Sequence, residues 1–582
     1  MFFSLKNFLF TLWFGLLLAL FGCASGPQIQ PTEEVDQAHA SEDDILTVDP
    51  LPNVELTPNV LYDILLGEIA GQQGQLDEAV DSLHRAARAT RDPRLAARAT
   101  RAAIYSKKLD HALDTANLWV ELSPDNIEAR ETLAKVLLDL EKPVEAQLHF
   151  EKALLLAKQR NMLGAVFLRT ASVLSSQSNR KTAFEVMETL VSSHPENPEA
   201  YLALAHLGVR AGDHDKALAA VGKALTIKPD WQDAALYKAR ILIGKGADQA
   251  NAFYDTFLGR FPRATKVRLN YARFLVDQKK WDEARKQFKR VIKESPSDAD
   301  AVLAVGLLSL QVGSYADAET YLLRHLQLEP DNDQARLYLG QVAEEQKNHV
   351  AAEKWYRQIS SDNYYFEAQT RLAVVMARRG KLEAARKLLH SQQTNNDQQQ
   401  AQLVLVEDQI LREAKQYAES MKILTAALVS LEEHTEILYA RALIAEKLDD
   451  LEMMERDLRV ILKKEPKNAH ALNALGYSLA DRTDRLEEAE ALVAQALALR
   501  PDDAFVLDSM GWVQYRMGNY DEAERLLRRA LSIRNDAEIA AHLGEVLWVA
   551  GQQSQARTIW RRALEETPDN EMLEAVMKKF GQ

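Results

Sequence analysis

A single cysteine, Cys23, stands among 582 residues, and that scarcity removes whole classes of chemistry. No disulfide can staple the chain to itself, and no thiolate cluster can hold a metal. Histidine offers little more: no two of the 13 lie closer than eight residues, so no helical i,i+4 zinc pair exists. Positive charge is outnumbered, with 71 Lys and Arg against 85 Asp and Glu, a net charge of −14. Such a balance lacks the basic footprint that nucleic-acid phosphates require. Glycine and proline are sparse, and no Walker loop or G-x-G-x-x-G occurs; Gly244-Lys245-Gly246 has neither the third glycine nor a preceding strand. Gly476-Tyr477-Ser478-Leu479-Ala480 resembles a nucleophile elbow only faintly, because its final glycine is missing and its pattern is helical. The sequence therefore gives no grounds for an enzyme, a metal, a cofactor or a small-molecule substrate.

A rhythm takes their place. Fifteen positions spaced 33 to 37 residues apart run Gly67, Thr100, Ala134, Ala171, Ala205, Ala239, Ala272, Gly306, Gly340, Ala373, Asp408, Ala442, Gly476, Gly511 and Gly544. Thirteen of them are Gly or Ala, which points to a place where two helices cross too closely for a side chain. Around each, further residues recur, as in Tyr201, Leu204, Ala205, Ala217, Val221, Ala224 and Pro229, or in Ala272, Trp281, Ala284, Phe288 and Pro296. Prolines 195, 229, 262, 296 and 330 end the second helix of successive units, since proline cannot continue a helix. This spacing is that of the tetratricopeptide repeat (TPR), and it predicts an all-α TPR solenoid of about 14–15 helical hairpins wound as a right-handed superhelix.

Two places break the pattern. The polar stretch His390 to Gln400 precedes a repeat with Asp408 in the small slot, and it reads either as a hinge or as a long inter-repeat loop. Near the start, Thr100 and Trp119 replace alanine. The expected division is an N-terminal array at 59–390 and a C-terminal array at 401–582, closed by a capping helix from Glu571 to Phe580.

The first 58 residues lie outside the repeat. Phe8 to Phe21 is an apolar run of secretory length that ends in Leu20-Phe21-Gly22-Cys23, similar to the lipobox of bacterial lipoproteins. Residues 1–22 then read as a lipoprotein signal peptide and Cys23 as the lipid-attachment site, with Phe21 departing from the small or aliphatic residue usual there; the alternatives are an ordinary signal peptide or an uncleaved anchor helix. Several acyl chains on one residue give stable anchoring where a single chain is marginal. Ala24 and Ser25 resemble an outer-membrane sorting pattern, which places the protein at the periplasmic face of that membrane. Residues 23–58 read as a disordered tether with five prolines, no Lys or Arg, and a marked acidic bias. It either holds the array away from the bilayer or docks on a basic partner.

In TPR stacks the first helix of each hairpin lines the concave side. The positions one and four after each small residue, and three and six before it, should face that groove. In the last three repeats this rule gives Tyr477, Phe505, Trp512, Tyr515 and Trp548, where most other repeats put charged or aliphatic residues such as Arg273, Gln341 and Glu344. Concentrated aromatics read as partner anchors, or equally as packing between repeats.

The stretches Asn473-Ala474-Leu475-Gly476-Tyr477-Ser478, Asp508-Ser509-Met510-Gly511-Trp512 and Ala541-His542-Leu543-Gly544-Glu545 are distinctive. With the lipobox and tether, they resemble the proteobacterial TPR outer-membrane lipoproteins that partner a periplasmic carboxy-terminal processing protease. The resemblance implies an adaptor that binds the protease and presents substrates such as peptidoglycan hydrolases. The alternative is a scaffold for polysaccharide secretion, pilus assembly or outer-membrane protein insertion.

Overall fold

The computed structural model describes residues 54–568 and 570–581. The signal peptide, Cys23 and the tether up to residue 53 lie outside the described residues. Within them are 31 helices and no strand, arranged as fifteen antiparallel hairpins from Pro58–Gln72 with Leu76–Thr90 to Ala537–Val549 with Gln553–Glu566, and a closing helix at Glu571–Lys579. Each of the fifteen small-slot residues falls in the first helix of one hairpin.

The reason for the small slot is visible in side-chain geometry. A Cβ added to Gly544 would lie 2.0 Å from Trp560 Nε1, and one added to Gly340 would lie 2.2 Å from Tyr356 Cε1. The intruding residue comes sixteen positions later, on the second helix, and Phe150, Tyr356 and Trp560 fill that role with no exposure at all. Truncating so large a core side chain costs on the order of 3–5 kcal/mol. Within each of these hairpins the two helices therefore meet through a small-to-large interlock.

Local signals set the helix ends. Asn126, Asn197, Asn332 and Asn468 each accept a backbone N–H from the first turn of the helix they precede. Such caps supply acceptors for donors the helix itself leaves unpaired. In most hairpins the chain turns between the two helices through a residue of positive φ. At Gly212 (φ 80°), the Asp213 N–H then donates back to the Gly208 carbonyl at 2.9 Å.

The two breaks in the pattern are each accommodated. Asp408 is buried, but Ser420, twelve residues on where other repeats carry alanine, donates its hydroxyl to Asp408 Oδ1 at 2.6 Å. Arg412 Nε donates to the other carboxylate oxygen at 2.8 Å. Thr100 and Thr115, both fully buried, bring their hydroxyls within 3.0 Å. The polar stretch resolves into the end of the Leu382–His390 helix, a connection over 391–396, and the start of Asp397–Glu413. Arg386 Nε and His390 Nε2 each lie 2.8 Å from a Glu407 oxygen, so polar contacts span that connection.

Packing divides the described chain into two compact units, 54–308 and 309–581, the division falling inside the Ala299–Gln311 helix. The first unit is centred on Leu133, Phe150, Phe167, Met187 and Leu207. The second holds successive cores around Tyr356 and Leu372, then Leu475 and Leu507, then Leu543 and Trp560.

Candidate partner-binding face

The five aromatics singled out by the groove rule fall into three settings. Tyr477 and Trp512 are deeply placed, at 6% and 8% exposure. The Trp512 indole stacks on the His542 ring with centroids 4.3 Å apart, and its Nε1–H donates to Asp481 Oδ1 at 3.1 Å. On the far side of the imidazole, Nδ1 lies 2.9 and 3.1 Å from the two Asp508 oxygens, and the Tyr477 hydroxyl lies 3.4 Å from Nε2. Three consecutive first helices, Ala469–Arg482, Ala504–Arg516 and Ala537–Val549, are thus sewn together by one polar seam.

The electrostatics of that seam turn on His542. Burial alone would depress its pKa, but the charge and hydrogen bond of Asp508, helped by Glu538 and Asp481, raise it above the ordinary 6.5. Burial also lifts the Asp508 carboxyl, against the pull of His542. The Tyr477 hydroxyl is pushed well up by burial and by nearby carboxylates, so it stays protonated and can donate.

Phe505 and Tyr515 form a shallower rim and remain partly exposed. The Arg534 guanidinium sits 4.8 Å over the Phe505 ring, and the Tyr515 hydroxyl donates to Glu545 at 3.1 Å. Trp512 and Tyr515 pack with ring centroids 5.0 Å apart, so rim and seam are continuous. Trp548 belongs elsewhere. Its indole lies 5.7 Å from Trp560 and 5.6 Å from Phe580, with Arg557 at 5.3 Å, and so it helps seat the closing helix.

Sequence reasoning passed over His542, Asp508 and Asp481. The signal was available: Asp508 and His542 are 34 residues apart, one repeat, and therefore stacked neighbours. Two further polar residues are fully buried in this region, Asn473 and Ser509, on the same first helices as Tyr477 and Trp512. Ser478 sits buried in mid-helix, far from the strand-to-helix turn that an activated serine requires. Among the described residues no cluster of three or more His, Cys, Asp or Glu could hold a metal. No described helix is long and apolar enough to cross a membrane.

Fifteen stacked hairpins, interlocked small-to-large, define an all-α TPR solenoid, the fold of a protein-interaction scaffold. Sequence profiles of the tetratricopeptide repeat match residues 174–241, 243–299, 272–333, 303–365, 468–536 and 514–580. A TPR repeat-containing protein of Pseudomonas aeruginosa, PA4667, is 34% identical over 488 residues, 83% of this chain and 82% of its own length. The chain belongs to the tetratricopeptide repeat proteins. The type IV pilus assembly protein PilF of the same organism is 26% identical over 164 residues, 28% of this chain and 65% of PilF. A solved tetratricopeptide repeat protein from Parabacteroides merdae covers 42% of this chain and 97% of its own, at 17% identity and a TM-score of 0.35.

Proposed function

We propose that this chain is a lipid-anchored adaptor at the periplasmic face of the outer membrane. It binds a carboxy-terminal processing protease and presents substrates such as peptidoglycan hydrolases for degradation. The observation that carries the reading is the order of sequence features: a lipobox-like stretch ending at Cys23, an acidic tether, then a TPR array. That order is similar to the lipoproteins that partner such proteases. Holding enzyme and substrate on one scaffold raises their effective concentration without any chemistry of its own. Phe505 and Tyr515 are the reachable anchors in this reading, with Tyr477, Trp512 and Trp548 behind and beside them.

Affinity capture from envelope extract, with the array after residue 23 as bait, tests the proposal by mass spectrometry. The expected catch is a processing protease, with hydrolases trapped once its nucleophile is removed. Phe505→Ala with Tyr515→Ala should lower capture at least tenfold while helical content stays unchanged. The stretch of similarity to PilF supports a second reading, a pilus-assembly scaffold. Recovery of pilus-assembly components with no protease would favour it and overturn the first.

A further inference from the structure

Charge is not spread evenly over this chain. From Arg260 to Lys293 stand twelve Lys and Arg against three Asp and Glu, although the whole chain carries −14. The stretch covers one hairpin of the 54–308 unit, Thr265–Asp277 with Trp281–Glu294, and the turn that leads into it. The Trp281–Glu294 helix buries Ala284, Phe288, Val291 and Ile292. The side opposite them carries Lys286, Lys289, Arg290 and Lys293, at the i, i+3, i+4 spacing of neighbours on one helix face. Lys280, just before the helix, and Arg263, in the preceding turn, are exposed as well.

Other repeats neutralise the same face. Thirteen and seventeen residues after the small slot, Leu451–Lys464 places Glu455 and Arg459, and Tyr520–Ile533 places Glu524 and Arg528. These pair at 2.7 and 2.8 Å. In Trp281–Glu294 the two places hold Arg285 and Lys289, both cations. Arg285 is drawn to Asp282 in the first turn, at 2.9 Å. Among the described residues, Lys280, Lys286, Arg290 and Lys293 form no ion pair. Like charges at i and i+4, Lys286 with Arg290 and Lys289 with Lys293, work against the helix. Beside them the Arg268 guanidinium is buried against the neutral oxygens of Pro262 and Gln287, at 2.6 and 2.7 Å. Burial, with Arg290 adding to it, lowers the Arg268 pKa. Positive potential at this face is left without a counter-charge.

We propose that this face docks on an anionic lipid surface and is held there by headgroup phosphates. Neighbouring cations on it stand about 5–6 Å apart, inside the Debye length of about 8 Å at physiological salt, so their fields add. The face lacks what a folded protein partner uses. Protein interfaces are anchored by buried aromatics and are poor in lysine. Here half of the twelve cations are lysines, and between Ile243 and Leu323 no large hydrophobic side chain is exposed among the described residues. A bilayer surface needs no such anchor, because it attracts basic side chains through diffuse charge. A long nucleic acid would run on past the strongly acidic remainder of the chain, whereas a flat bilayer meets one face only. The proposal goes beyond the anchored adaptor. There the membrane is reached through Cys23; here the folded array itself lies against it.

The chain from residue 23 with Cys23→Ser, which has no acyl group, is floated with vesicles of phosphatidylcholine alone or mixed with phosphatidylglycerol. Binding should be at least tenfold tighter to the mixed vesicles and should vanish in about 1 M salt, where the Debye length is about 3 Å. Lys286→Glu with Arg290→Glu and Lys293→Glu should weaken it at least tenfold. The neutral set Lys286→Gln, Arg290→Gln and Lys293→Gln should weaken it less, and both sets should leave helical content unchanged. Lys463→Glu with Lys464→Glu and Lys467→Glu alters net charge equally on another exposed stretch and should leave binding intact. Equal binding to both kinds of vesicle, or an equal loss from the two sets of reversals, would overturn the lipid contact. Retention on polyglutamate without any on vesicles would assign the face to an acidic protein instead, and retention on a DNA duplex alone to nucleic acid. Protease capture tests the adaptor separately: capture without vesicle binding would sink the lipid contact alone, and vesicle binding without capture the adaptor alone.

Discussion

Two buried histidines, one in each compact unit, respond to acid in opposite ways. In the first unit His206 packs against Tyr237 with ring centroids 4.0 Å apart and the ring planes tilted by 38°, and no carboxylate contributes to its shift. Burial, with Arg240 adding to it, lowers its pKa from 6.5 to about 4. In the second unit His542 is more deeply buried, yet Asp508 at 2.9 Å raises it. Depth of burial does not decide the protonation state; the neighbour does. The stability consequences have opposite sign. His206 contributes fully above 6.5, and its contribution is lost as pH falls through about 4. His542 contributes fully below 6.5, and its contribution is lost as pH rises through its raised value.

The strongest way to break this contrast is Asp508→Ala. Removing one partner of a buried pair costs about 3–5 kcal/mol. It should also reverse the pH response of the second unit, because His542 is then governed by burial as His206 is. Hydrogen exchange of the Ala537–Val549 helix at pH 5, 7 and 9 reads both effects. Protection that still fell with rising pH in the variant, after the intrinsic exchange rate at each pH is divided out, would refute the account.

His206→Phe should erase the acid sensitivity of the first unit. A shift from 6.5 to about 4 corresponds to about 3 kcal/mol at one pKa unit per 1.36 kcal/mol, felt fully only below the lower value. Denaturant melts at pH 4.5 and 7.5, read through exchange of the Pro198–Arg210 helix, should differ in the wild type and agree in the variant.

Smaller effects sharpen the comparison. Ser420→Ala leaves the buried Asp408 with Arg412 alone and should cost about 1–3 kcal/mol, the range for an unsatisfied buried polar group. The double change with Asp408→Ala should restore most of that loss, because it rebuilds the ordinary small slot, and a double-mutant cycle in urea measures the coupling. Smallest of all, Gly222→Ala in the first unit should stabilise by about 0.5–1 kcal/mol, since an added Cβ meets nothing within 4 Å and the helix gains propensity. A loss of melting temperature in that variant would count against the open space seen there.

What could be read in the sequence was whatever repeats. The small slots predicted about 14–15 hairpins where the structure has fifteen, and the terminal Glu571 to Phe580 segment falls on the Glu571–Lys579 helix. Pairings that occur once were harder. Asp408 was visible as a misfit, but its compensation by Ser420 emerges only when the second helix is superposed on its neighbours. The groove rule found the aromatics and missed the polar groups that hold Tyr477 and Trp512, because it counted within a repeat and His542 acts across one. The rule also picked out Trp548, whose partner Phe580 comes from a helix with no repeat counterpart.

The Asp408–Ser420 exchange has a consequence for inheritance. Near-identical repeats invite unequal recombination, in which one unit is pasted over another. In most of this chain such an event would swap one small-to-large interlock for a similar one. In the repeat at 397–430 a crossover between residues 408 and 420 would leave an acid facing an alanine, or a serine facing no acid. That hairpin is written in two places that must travel together, which gives a repetitive gene one unit that cannot be shuffled by halves.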